Sequence, residues 1–207
     1  QMINQIKSCS AVSCFLIIFL NISVLFAQPT KKEPDGKIEK LSKELDAIIN
    51  HDAKVEVIAD GFGWVEGPLW IESKRMLLVS DVLNNTVYKW TPEKGKEVYL
   101  EHSGYNGTQL RSEELGSNGL TLNHKGQLLL CQHGDRRVAL MNASLDNPKA
   151  EYITLANEYR GKKFDSPNDL IVKSNGDIYF TDPPYGLEKG VNNPSKAAPY
   201  QGVYKIS

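Results

Sequence analysis

Three polar residues recur at nearly one interval. Glu66, Asn118 and Asn168 lie 52 and 50 residues apart, in VEGPL, SNGLT and PNDLI, each ahead of Gly or Asp and then an apolar run. One carboxylate and two amide oxygens brought to one point make a hard-oxygen set, which suits Ca²⁺ or Mg²⁺ better than Zn²⁺. Taken singly, Asn-Gly and Asn-Asp are also common turn dipeptides. Taken with a carboxylate at the same phase, they read as metal ligands. The three cysteines, Cys9, Cys14 and Cys131, form no paired zinc-type cluster, and GxSxG is absent, which argues against a serine esterase.

The elements that must position these residues carry the same period. RMLLVSD, QLLLCQH and DIYFTDP recur at intervals of 51 and 50 residues. TVYKW, RVALM and GVYKI follow each of them in turn, the last displaced by an insertion over residues 183–201. From Val55 onward, eleven strand candidates stand between Gly, Asn, Asp and Pro punctuation: VEVIAD, RMLLVSD, TVYKWT, EVYL, LTLN, QLLLCQH, RVALMN, YITLA, LIVK, DIYFTD and GVYKIS. An all-β chain repeating every ~50 residues predicts β-propeller blades, of which about three are present over residues 55–207. In that architecture the innermost strand of each blade lines the axis, so Glu66, Asn118 and Asn168 converge.

Ahead of the repeats, Lys7 and the apolar residues 11–27, ending at Ala27, read as a cleaved export signal. Polar residues broken by Pro29, Pro34 and Gly36 then form a spacer, and IEKLSKELDAIIN predicts a short docking helix, so residues 28–54 are spacer plus helix. The expected location is secreted or periplasmic, with no membrane segment after cleavage. With 24 Lys+Arg against 25 Asp+Glu the net charge is -1, which excludes a polybasic nucleic-acid or membrane binder.

EGPLW at Glu66, GSNGLTLNHKGQLLLCQHGDRRV from Gly116 and FDSPNDLIVKSNGDIYFTDPPYGL from Phe164 resemble the SMP-30/gluconolactonase/LRE-like family, and SPND followed by FTDPPYG resembles its gluconolactonase branch. The resemblance implies a six-bladed propeller with one axial divalent cation, Ca²⁺ ahead of Mg²⁺ or Zn²⁺. It makes Glu66 and Asn168 metal ligands and Asn118 a substrate-side residue. Six blades need roughly 300 residues at this period, so the family's general-base Asp is expected beyond Ser207.

The implied reaction is that of a carboxylic-ester hydrolase opening a sugar lactone such as glucono-1,5-lactone. A divalent cation polarises the carbonyl for attack by water. Phosphotriester or aryl-ester hydrolysis on the same ion, and a non-catalytic binding propeller with structural calcium, are the alternatives. His133 stands at the channel end of its blade by phase and is a second substrate-side candidate, against a structural hydrogen-bonded role. At most one of Arg136 and Arg137 can point inward from a strand. Asp81 and Asp182 fit turn-capping. Trp64 and Trp70 fit packing, or sugar stacking. The insertion reads as a loop over one end of the propeller. The sequence leaves the oligomeric state open.

Overall fold

A computed structural model of the chain describes residues 36–109 and 114–207, so the predicted export signal lies outside the described residues. The described chain is all-β apart from short 3₁₀ turns. The first four strands, β1 (Val65–Ile71), β2 (Met76–Asp81), β3 (Thr86–Thr91) and β4 (Gly95–Glu101), form an antiparallel sheet in the order β1-β2-β3-β4. A second sheet has the same order: β5 (Ser117–Leu122), β6 (Leu128–Gln132), β7 (Arg137–Met141) and β8 (Tyr152–Ala156). A two-strand ribbon, β9 (Glu158–Tyr159) and β10 (Lys162–Lys163), leads to a third sheet of β11 (Leu170–Val172), β12 (Ile178–Asp182) and β13 (Gly202–Ile206).

Alternation decides how the sheets stack, because successive side chains of a strand point to opposite faces. In β6, Leu128 and Leu130 join Leu78, Val87, Leu100 and Leu120 in a core against the first sheet. Leu129 and Cys131 face the other way, joining Phe164, Leu170 and Phe180 against the third. Being buried on both faces is why β6 reads as an uninterrupted apolar run rather than an alternating one. Phe164, Phe180 and Tyr204 interlock, with Phe164 edge-on to Phe180 at 5.0 Å.

Two expectations fail at the start of the chain. VEVIAD forms no strand; instead Ile58, Ala59 and Phe62 lie against Leu77, Tyr88 and Trp90 around a cavity of about 310 Å³. Lys96 fastens that segment by hydrogen bonds to the carbonyls of Asp60 and Gly61. The predicted helix shortens to a 3₁₀ turn over Lys43–Ala47, capped by Ser42, and Leu41 and Ile48 stay 87% and 78% exposed. Without an apolar face against a sheet, helical propensity alone does not extend so short a segment. Three strands were absent from the candidates, β1 and the two-residue strands β9 and β10. β1 contains Gly67-Pro68, which the sheet tolerates because its register shifts between Glu66 and Leu69.

Candidate functional site

The inner strand of each sheet begins at the same end of the stack, and two glycines set how closely those beginnings approach. Gly67, at φ +56°, sits so near the second sheet that a Cβ there would lie 2.2 Å from the Asn118 carbonyl oxygen. Gly119 repeats the contact one sheet on: a Cβ there would lie 2.8 Å from the Asn168 carbonyl oxygen, and its N–H donates to that oxygen at 2.7 Å. Only glycine allows such an approach. Glu66, Asn118 and Asn168 are therefore neighbours along one line of backbone contacts. β5 also shifts register between Ser117 and Leu120, as β1 does after Glu66, so both inner strands carry their polar residue at a bulge.

Asn118 is buried, whereas Glu66 and Asn168 are half-buried. Neither amide side chain makes a hydrogen bond to a described residue. Glu66 has one partner, the Trp64 indole N–H, which donates to Oε1 at 2.9 Å. The oxygen chemistry of this set fits a hard divalent cation, and most of its donor atoms are uncommitted. Among the described residues, no three His, Cys, Asp or Glu side chains group as a metal site, so a cation here would depend on amide oxygens beside the Glu66 carboxylate.

The loops at this end are fastened by repeated devices. Asp81, at the end of β2, accepts from the backbone N–H groups of Gly63 and Trp64, at 2.9 and 3.1 Å, and from the Asn84 amide at 2.8 Å. Asp182, at the end of β12, accepts from the N–H groups of Asp165 and Ser166, at 2.9 and 2.8 Å. Each aspartate thus holds the segment entering its own inner strand. Burial works to raise the Asp81 carboxyl, but hydrogen bonds from Gly63, Asn84 and Trp64 outweigh it and leave the carboxyl below its usual value. Burial dominates at Asp182, and the neighbouring Asp165 carboxylate adds to it, so its pKa is raised to about 6.

His133 follows β6 at the same end and is fully buried. Its Nδ1 stands 3.6 Å from the Glu114 carboxylate, beyond a hydrogen bond, and neither ring nitrogen is hydrogen-bonded. Gly186 of the insertion packs on it: a Cβ there would meet His133 and Ser166, at 3.0 and 2.8 Å from their Cβ atoms. The Arg pair divides, but not by strand alternation, because Arg136 lies in the turn before β7 at φ +59° and only Arg137 is on the strand. Arg136 is buried and donates to the carbonyls of Phe164 and Ser195, while Arg137 turns outward to Gln132, Thr154 and Asp135.

Sequence reasoning missed the anchor of the insertion. Lys196 Nζ lies 2.8 Å from the carboxylate of fully buried Asp165, whose other oxygen is 3.6 Å from Arg136. Beside this anchor a cavity of about 460 Å³ opens between Gly134, Arg136, Gly186, Leu187, Glu188 and Ser195. The one hint in the sequence is Asp165 three residues before Asn168; its partners are too distant in the chain to announce themselves.

Residues 64–207 match the family model described as SMP-30/Gluconolactonase/LRE-like region. The chain belongs to the SMP-30/gluconolactonase/LRE-like family. A gluconolactonase of Zymomonas mobilis subsp. mobilis is 38% identical to it over 176 residues, which cover 83% of this chain and 48% of that protein. The solved structure of a gluconolactonase from Xanthomonas campestris superposes with a TM-score of 0.58 at 30% identity, over 73% of this chain and 46% of that one. A second structure, of a putative gluconolactonase, gives a TM-score of 0.63 at 26% identity, over 80% of this chain and 52% of that one. This member of the family thus spans about half the length of these relatives.

Proposed function

We propose that this chain is part of an exported lactone hydrolase whose three sheets are blades of a six-bladed propeller. The observation that supports the reading is the paired glycine contact, Gly67 on the Asn118 backbone and Gly119 on the Asn168 backbone, which makes Glu66, Asn118 and Asn168 neighbours along the inner strands. Exposed apolar residues on the outer sheets, Val65 at 43% on the first and Ile171 and Val203 at 66% and 71% on the third, suit burial against further blades. Residues 1–27 supply the export signal, for a secreted or periplasmic location.

Glu66 and Asn168 are proposed to hold one divalent cation, Ca²⁺ first, which when bound supplies positive charge to a lactone carbonyl. Asn118 offers an amide N–H₂ to orient the lactone, and the ring nitrogens of His133, neither of them hydrogen-bonded, offer a second polar contact. The enclosing loop, pinned by Lys196 and Asp165, limits water around the ring. The general base is proposed to be an Asp of a later segment. The similarity to gluconolactonases supports glucono-1,5-lactone as the first substrate to test.

The experiment is hydrolysis of glucono-1,5-lactone by the full-length protein, with and without a chelator, beside its Asn168→Ala variant. Turnover that the chelator abolishes and that falls at least about tenfold in Asn168→Ala supports the reading. Turnover no faster than the spontaneous rate, with Ca²⁺ bound, moves it to another ester or to a binding propeller.

A further inference from the structure

Glu66 is held at one oxygen only, and by a residue that is itself held on both sides. The Trp64 indole N–H donates to Glu66 Oε1 at 2.9 Å, the two residues sharing one face of the extended chain. The Trp64 backbone N–H donates to Asp81 Oδ1 at 3.1 Å, and its carbonyl accepts from Val82 N–H at 2.9 Å. Asp81 is fully buried. A series of hydrogen bonds therefore runs from the end of β2 through the Trp64 backbone and its 58% exposed indole to Glu66, and it leaves Glu66 Oε2 without a described partner.

We infer that Trp64 is a positioning residue for a divalent cation on Glu66: its indole N–H engages one carboxylate oxygen and orients the side chain so that the other is available to the ion. This rests on the reading of Glu66 as a ligand. A group that hydrogen-bonds a metal-ligating side chain orients it and typically contributes 10- to 100-fold in metal affinity. The opposite end of β1 supplies a control. There Trp70 Nε1 donates to Glu72 Oε2 at 2.6 Å with the same two-residue spacing, but on an exposed 3₁₀ turn away from Asn118 and Asn168.

The test is calorimetric titration with Ca²⁺ of the full-length protein as wild type, Trp64→Phe, Trp70→Phe and Glu66→Gln, with far-UV circular dichroism confirming each fold. Trp64→Phe is expected to weaken Ca²⁺ binding about tenfold or more, Trp70→Phe to leave it unchanged, and Glu66→Gln to remove it. In the wild type labelled with ¹⁵N-tryptophan, the Trp64 indole N–H resonance is expected to move on Ca²⁺ saturation while those of Trp70 and Trp90 stay. Wild-type affinity in Trp64→Phe overturns the inference, as does an unmoved Trp64 resonance, which decides the matter should that variant not fold. Ca²⁺ binding lost in Glu66→Gln but kept in Trp64→Phe overturns the positioning role alone. A wild type that binds no Ca²⁺, or a Glu66→Gln that binds as well as it, overturns the ligand reading as well.

Discussion

Asp81 and Asp182 occupy the same place in two sheets, do the same backbone task and end with opposite proton affinities. Each closes the second strand of its sheet and holds the residues entering the inner strand, Gly63 and Trp64 in one case, Asp165 and Ser166 in the other. Asp81 gains the Asn84 side chain as a further donor and faces no like charge, so its hydrogen bonds outweigh burial. Asp182 has only the two backbone donors and stands beside Asp165, a carboxylate already occupied with Lys196 and Arg136. The repeat therefore conserves a backbone clamp, and the third copy adds a second carboxylate that fastens the insertion. Burial, with the Asp165 carboxylate adding to it, raises the Asp182 carboxyl to about 6.

The comparison breaks most visibly at Asp81. Asp81→Ala strips partners from two backbone N–H groups and the Asn84 amide at a fully buried position, and is expected to cost about 4 kcal/mol in urea unfolding. A loss under about 1 kcal/mol would show that the clamp is not structural.

Opposite shifts also give opposite pH signatures. Asp182, raised in the folded state, contributes stability that is complete below the ordinary carboxyl value of 3.8 and is lost as pH rises through about 6. Asp81, lowered in the folded state, contributes stability above 3.8 that is lost as pH falls through its depressed value. Relative to Asp182→Asn, the wild type should thus gain about 2 to 3 kcal/mol between pH 7 and pH 4, read by urea unfolding at each pH. A flat difference would remove Asp182 as the titrating group.

Much of this was legible before any coordinates. The ~50-residue period placed Glu66, Asn118 and Asn168 in phase and QLLLCQH among the strands, whereas the burial of β6 on both faces emerged only from the stacking of the sheets. Strands built on Gly67-Pro68, or abandoned in favour of a segment pinned by Lys96, were not legible, because a bulge and a lysine tether carry no periodicity. The clamps were half legible. Asp81 and Asp182 were visible as turn-capping residues, but their targets 16 to 18 residues upstream became visible only through strand pairing. The same holds for Lys196 and Asp165, 31 residues apart.

The middle sheet sharpens the comparison, since Gln132 stands where the others have aspartate. Its Nε2 donates to the Ser103 carbonyl at 2.7 Å, and its Oε1 accepts from Arg137 at 2.6 Å. An aspartate there cannot donate and is one methylene shorter, so Gln132→Asp leaves a buried carbonyl unpaired and is expected to cost about 2 kcal/mol, measured by urea unfolding. Asp182→Asn at pH 7 is expected to change stability by less than about 1 kcal/mol, because removing a charge that burial and Asp165 disfavour offsets the weaker acceptance from two N–H groups. If instead it costs as much as Asp81→Ala, the charge on Asp182 is needed after all, and the two clamps are electrostatically alike despite their different neighbours.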